Sequence, residues 1–221
     1  MKRNCEKRET LFNRFLTESE QAKYAHMRQR REENNQTLRK NLKTHISTLN
    51  DGIVAIIITV MLLEIPFPTA PENYGAFLWA ILIFFVSFFV VADFWYENKR
   101  VFETVKEVDH PIMIVNFLFL AALSLIPVMT KWIMRETIGF SVLNFGVVYM
   151  VTMLLQQILY ITVVRGRFKG QEGLLFKIIL SRIGLVLIPN IVLILLGWFF
   201  PKPIMVLYVV LPIVSFLQPG Y

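Results

Sequence analysis

Six long apolar runs constrain this chain more than any other feature. They cover residues 47–65, 75–96, 111–132, 138–164, 174–200 and 203–217. A helix needs about 20 mostly apolar residues to cross a hydrocarbon core ~30 Å thick, and in lipid every backbone N–H and C=O must be satisfied inside the protein. The first five runs reach about that length, whereas the sixth is short and would cross only a thinned bilayer or lie partly buried in protein. The expected fold is therefore an all-α integral membrane protein with six transmembrane helices per chain. At 55% hydrophobic residues the chain is also more apolar than the roughly 45–50% of soluble domains. Pro66 and Pro68 close the first run, and Pro189 is expected to kink the fifth.

Charge divides the chain into two parts. Residues 1–45 carry 12 Lys/Arg and 6 Asp/Glu, a net of +6, while residues 46–221 carry 11 and 10, a net of +1. This reads as a basic N-terminal tail, 1–45, followed by a membrane domain, 46–221. The tail is expected to be partly helical, with Leu11, Phe12, Phe15 and Leu16 at helical spacing and Tyr24 further along. Its stretch after Met27 would be either a disordered linker or a cytoplasmic extension of the first membrane helix. Lys99, Arg100 and Lys106 lie in one connection and Arg165, Arg167 and Lys169 in another, whereas the opposite connections carry only Lys131, Arg135 and Lys202. The positive-inside rule then puts both termini in the cytoplasm and the chain in the cell membrane. Trp132, Trp198, Phe199 and Phe200 fall at the outer ends, where aromatic belts form. The tail mixes Glu with its basic residues and has no nucleic-acid-binding fingerprint, so no nucleic-acid partner is expected. The single cysteine, Cys5, rules out a disulfide framework within the chain or a thiol metal cluster. No secretory leader is read, and the first span is expected to act as its own insertion signal.

Asn50-Asp51-Gly52 is a polar triplet at the mouth of the first apolar run. Two readings stand. Asn and Asp cap helix starts, where a carboxylate also suits the helix dipole; alternatively the triplet marks the entrance of a pathway through the membrane. Small Gly52 and Ala55 would let another helix approach closely. Beyond them Ile56, Val60 and Leu63 stand at i, i+4 and i+7, with Thr59 beside them. Such a stripe is ordinary lipid or core contact in a monomer. In an oligomer with this helix at the axis, it becomes stacked aliphatic rings that gate by dewetting.

Several segments resemble the prokaryotic members of the transmembrane protein 175 family of potassium channels. That family carries an Arg, three residues and Phe-Ser-Asp, then an apolar segment ending in Leu-Glu-Ile. Here the corresponding residues are His45, Leu49-Asn50-Asp51-Gly52 and Leu63-Glu64-Ile65-Pro66. Downstream, "FWYENKRVF" stands where the family has an aromatic, a His-His pair, Arg and Phe, and "VNFLFLAALSLIP" resembles its third helix, with Asn116 and Pro127 in register. His45, Leu49, Asn50 and the Asn98-Lys99 pair depart from the family residues; Asp51 keeps its own. The resemblance implies a homotetramer in the bilayer, a central pore lined by helix one, potassium as the permeant ion and no cofactor. By register from Asp51, the constricting layers would be Ile56, Val60 and Leu63, with Thr59 offering some oxygen. No TVGYG-like filter sequence occurs. Asp51 would either enrich cations in a vestibule or tie helices together through Asn98, Lys99 or Arg100.

The other polar residues read as structural. Asp93 is expected to pair with Lys99, Arg100 or Arg182. Asn116, Asn190 and Gln156-Gln157 are expected to join helices. Glu64 at the outer exit would attract cations or sit in headgroup water. No HExxH, P-loop or GxGxxG occurs, and His26, His45 and His110 are scattered, so an enzyme is not expected. A secondary transporter would want internal repeats and broken helices, of which Pro189-Asn190 is the only candidate break. A non-conducting scaffold is the other rival.

Overall fold

The structure, a computed structural model, describes residues 17–105, 108–164 and 172–217. It is all-helical. Helix α1 spans Glu18–Leu63. A 3-10 turn, Pro71–Asn73, leads into α2, Tyr74–Thr104. Then come α3, His110–Leu123; α4, Ile126–Arg135; α5, Gly139–Val164; α6, Glu172–Phe199; α7, Pro201–Leu207; and α8, Val210–Leu217.

Helix α1 settles the two readings of the tail in favour of an extension. From residue 17 to residue 65 the chain has no proline and a single glycine, so nothing stops a helix built largely from Arg, Lys, Gln, Glu and Leu. It starts at Thr17, whose backbone N–H and Oγ1 both donate to the Glu20 carboxylate, at 2.9 and 2.7 Å. Those bonds hold the Glu20 carboxyl below the ordinary carboxylate range. The boundary read at residue 45 falls inside this helix, and the Leu11-to-Leu16 stripe lies outside the described residues. The capping reading of Asn50-Asp51-Gly52 is corrected, because the triplet sits in mid-helix and there are no free N–H groups there to cap.

Among the described residues, four helical stretches are long and apolar enough to cross a membrane: Asn41–Leu63, Pro71–Thr104, His110–Arg135 and Gly139–Val164. The first, second and fourth match runs read in the sequence. The third is interrupted, because Ser124 and Leu125 form a tight turn and Pro127 opens α4. Nearer the C-terminus the described residues add two apolar stretches, Leu187–Phe199, which is the latter part of the 28-residue α6, and Pro201–Ile213. Pro189 lies inside α6.

Helix α2 is the hub: it packs against α1, α4, α5, α7 and α8. The main core gathers Val54, Ile57 and Met61 of α1 with Ile83, Val90 and Phe94 of α2, Phe119 and Leu123 of α3, and Phe145 and Tyr149 of α5. A second, smaller cluster at the tail end joins Ile46, Val101, Phe102, Ile112 and Leu159. Where α5 meets α6 the backbones approach closely. A Cβ on Gly139 would stand 2.5 Å from the Trp198 carbonyl oxygen, and one on Gly197 would stand 2.8 Å from Val142 Cγ1. Small residues permit such contacts between helices in lipid. Gly139→Ala meets backbone, which cannot rotate away. It is expected to lower the thermal midpoint in detergent, with about 1–3 kcal/mol of overpacking. Gly75→Ala, which meets nothing within 4 Å, should leave the midpoint unchanged or raised.

Candidate functional site

Among the described residues, helix α1 is bound on one side only. Ile46, Asn50, Val54, Ile57 and Met61 are buried against the rest of the chain. At 3.6 residues per turn they share one arc of the helix. The opposite arc is exposed along the whole span: His45, Leu49, Gly52, Ile56, Thr59, Val60 and Leu63. These seven residues fall within about 100° of one another. Ile56 is 62% exposed and Leu63 82%. A Cβ on Gly52 would meet open space, so the fold of the single chain does not require glycine there. Thr59 Oγ1 donates to the Ile56 carbonyl at 2.9 Å, which leaves the oxygen lone pairs of the hydroxyl outward.

The bound side is held by polar groups. Lys99 Nζ of α2 donates to Asp51 Oδ2 at 2.6 Å and to Ser47 Oγ at 3.0 Å, and Trp95 Nε1 donates to Asp51 Oδ1 at 2.8 Å. Of the partners expected for Asp51, the structure thus gives Lys99. Arg100 pairs instead with Glu97, at 2.7 Å, and lies over the Tyr96 ring. Lys99 and Arg100, two of the three cations expected for Asp93, are therefore engaged with other carboxylates, and the Arg182 side chain lies outside the described set. Lys106, Arg165, Arg167 and Lys169 also lie outside the described residues.

Beside this pair sits a closed amide triad from three helices. Asn50 Nδ2 donates to Asn98 Oδ1 at 2.9 Å and to Asn116 Oδ1 at 3.2 Å. Asn116 Nδ2 donates back to Asn50 Oδ1 at 2.9 Å, and Asn98 Nδ2 donates to Asn116 Oδ1 at 3.3 Å. All three residues are buried. Buried amides are tolerable only when they bond to one another, so the triad ties α1, α2 and α3 at one rotation and depth. The joining role read for Asn116 holds. Asn190 also joins helices, donating to the Gly146 carbonyl at 3.4 Å and accepting from Tyr208 at 3.2 Å. Gln156 of α5 donates to the Phe94 carbonyl of α2 at 3.5 Å.

Two partners were not foreseen. In the sequence Trp95 enters only within the segment FWYENKRVF, yet Ser47, Asn50 and Asp51 on α1 and Trp95, Asn98 and Lys99 on α2 repeat the same i, i+3, i+4 spacing. Two matching polar faces on neighbouring helices were the available signal. The second is Lys131 of α4, whose Nζ lies 2.7 Å from Glu64 Oε2 at the far end of α1.

Long apolar helices, joined by buried amides and packed through glycines, define a multi-pass, all-helical membrane protein. Residues 45–127 match the family model described as "Endosomal/lysosomal potassium channel TMEM175". A potassium channel of Chryseobacterium sp. (strain P1-3) is 36% identical over 93 residues, 41% of this chain and 48% of that protein. One of Streptomyces collinus (strain DSM 40733 / Tue 365) is 32% identical over 95 residues, 39% of this chain and 45% of that protein. The chain thus spans about half the length of the curated relatives it matches. The crystal structure of a lysosomal potassium-selective channel TMEM175 homolog from Chamaesiphon minutus superposes with a TM-score of 0.62 at 22% identity, covering 80% of this chain and 97% of that one. The family resemblance read from the sequence holds: residues 45–127 match the TMEM175 family model, and the two curated relatives are similar over comparable stretches.

Proposed function

We propose that the chain is one subunit of a homotetrameric, potassium-permeable channel whose pore is lined by the exposed arc of α1. The observation that carries this reading is the one-sided attachment of that helix. Its buried arc is fastened by Asp51–Lys99 and by the amide triad, while the opposite arc, from His45 to Leu63, stays exposed among the described residues. A purely lipid-facing arc has no use for His45, Gly52 and Thr59 in one line. Around a four-fold axis, Leu49, Ile56, Val60 and Leu63 become rings, Gly52 a widening between them, and Thr59 a ring of oxygens.

The chemistry is partial dehydration. An ion entering an aliphatic ring gives up hydration that the ring does not replace. Potassium, the larger ion with the lower charge density, holds water less tightly than sodium and crosses at lower cost. Thr59 lone pairs offset a fraction of that cost, so discrimination is modest. The tail and the Lys99–Arg100 end of α2 lie in the cytoplasm, the chain crosses the cell membrane six times with α6 and the α7–α8 pair completing the bundle, and no cofactor takes part.

Purified protein in liposomes tests the reading. Potassium flux down its gradient with no coupled ion, from particles holding four chains, is the expected result. Strict coupling to a second ion would make the chain a transporter. Silence would make it a scaffold.

A further inference from the structure

The membrane-crossing part of α1 and its C-cap carry two acids, Asp51 and Glu64, and each meets a lysine from a neighbouring helix, at 2.6 and 2.7 Å. The two acids are not equivalent. Asp51 lies toward the bound arc, about 140° around the helix from Ile56. Glu64 is the C-cap, about 80° around from Ile56 and directly after Leu63, the most exposed large hydrophobic residue of the free arc. Resting on the channel reading above, we propose that Lys131 sets the electrostatic character of the pore mouth remote from the tail by neutralising Glu64.

Four copies of α1 around an axis bring four Glu64 carboxylates to the opening beyond the Leu63 ring. Left alone, they would form a negative collar that concentrates cations at the mouth, as clefts lined by one sign of charge do. With Lys131 in place each subunit contributes a nearly neutral pair. The two side chains are 30% and 40% exposed, so the pair is solvated and its field is open to screening by salt. Such half-exposed pairs contribute little to stability, so removing one charge leaves the fold in place. The other described charges at this end, Glu72, Arg135, Glu136 and Lys202, are exposed, and Lys202 lies over the Trp79 ring at 5.9 Å. Among the described residues, Lys131 is the cation within ion-pair distance of Glu64.

Single-channel recording in planar bilayers decides the matter, using wild type, Lys131→Gln, Glu64→Gln and the double variant. In 0.01 M KCl, where the Debye length is ~30 Å, Lys131→Gln is expected to raise the conductance for potassium entering from the Glu64 side about twofold or more. Glu64→Gln, which leaves four lysines unpaired, is expected to lower it. The double variant should return to near the wild-type value, and all four proteins should converge in 1 M KCl, where the Debye length is ~3 Å. A merely structural pair would shift both single variants in the same direction, or shift them equally at both salt concentrations, and either result overturns the proposal. Four conducting proteins of equal conductance at low salt would remove the mouth-charge role and leave the channel reading standing. A silent wild type would overturn both.

Discussion

Ile56→Asn is expected to raise sodium permeation relative to potassium several-fold, about 1 kcal/mol at 1.4 kcal/mol per tenfold. The side chain is 62% exposed and lies on the arc of α1 opposite the buried one, so the substitution costs the fold little. What changes is the wetting of the ring. Four amides at the level of four sec-butyl groups supply donors and acceptors where none existed, and the ion with the larger dehydration cost gains most. Reversal potentials under bi-ionic conditions measure the ratio. Leu62→Asn is the matched control: Leu62 is also exposed, at 54%, but lies off the arc, so its selectivity should remain that of the wild type. An unchanged ratio in Ile56→Asn would remove α1 from the pore.

Asn116→Leu is expected to cost about 1–3 kcal/mol of stability, although the two side chains are close in size. The residue is fully buried and takes part in three of the four bonds of the triad. Leucine would leave Asn50 with an unmet acceptor and Asn98 with an unmet donor, in surroundings where water cannot replace them. The reciprocal test makes the assignment specific. Changing Asn50, Asn98 and Asn116 together to Leu removes the polar groups as a set, and the triple variant is expected to melt above Asn116→Leu. Thermal midpoints in detergent, read by size-exclusion fluorescence, compare the two. A triple variant that melts at or below the single one would mean that the triad acts through something besides mutual satisfaction.

Much of the membrane domain was legible because hydropathy is a local property. The run 138–164 became α5 nearly residue for residue, and the first run ends where Pro66 and Pro68 require. Reading went astray where one residue has two local uses. Asn50 and Asp51 are good caps, and only the uninterrupted helix before them removes that role. The third run was read as one helix because Ser124, Leu125 and Pro127 alter its apolar character little, yet the chain turns there. The stretch from Arg28 to Lys43 fits either a linker or a helix, since long charged side chains are good helix formers and are equally at home in disordered chain.

By itself the sequence determined that the chain enters a membrane, roughly where its helices cross, which end carries the basic charge and which family its motifs resemble. Those properties sum residue by residue along the chain. The tertiary structure alone decided that Lys99 rather than Arg100 holds Asp51, that three asparagines close on one another, and that the arc from His45 to Leu63 is left exposed among the described residues. These outcomes depend on the rotation and depth of one helix against another, and a shift of one residue, about 100° around an axis, would exchange every partner.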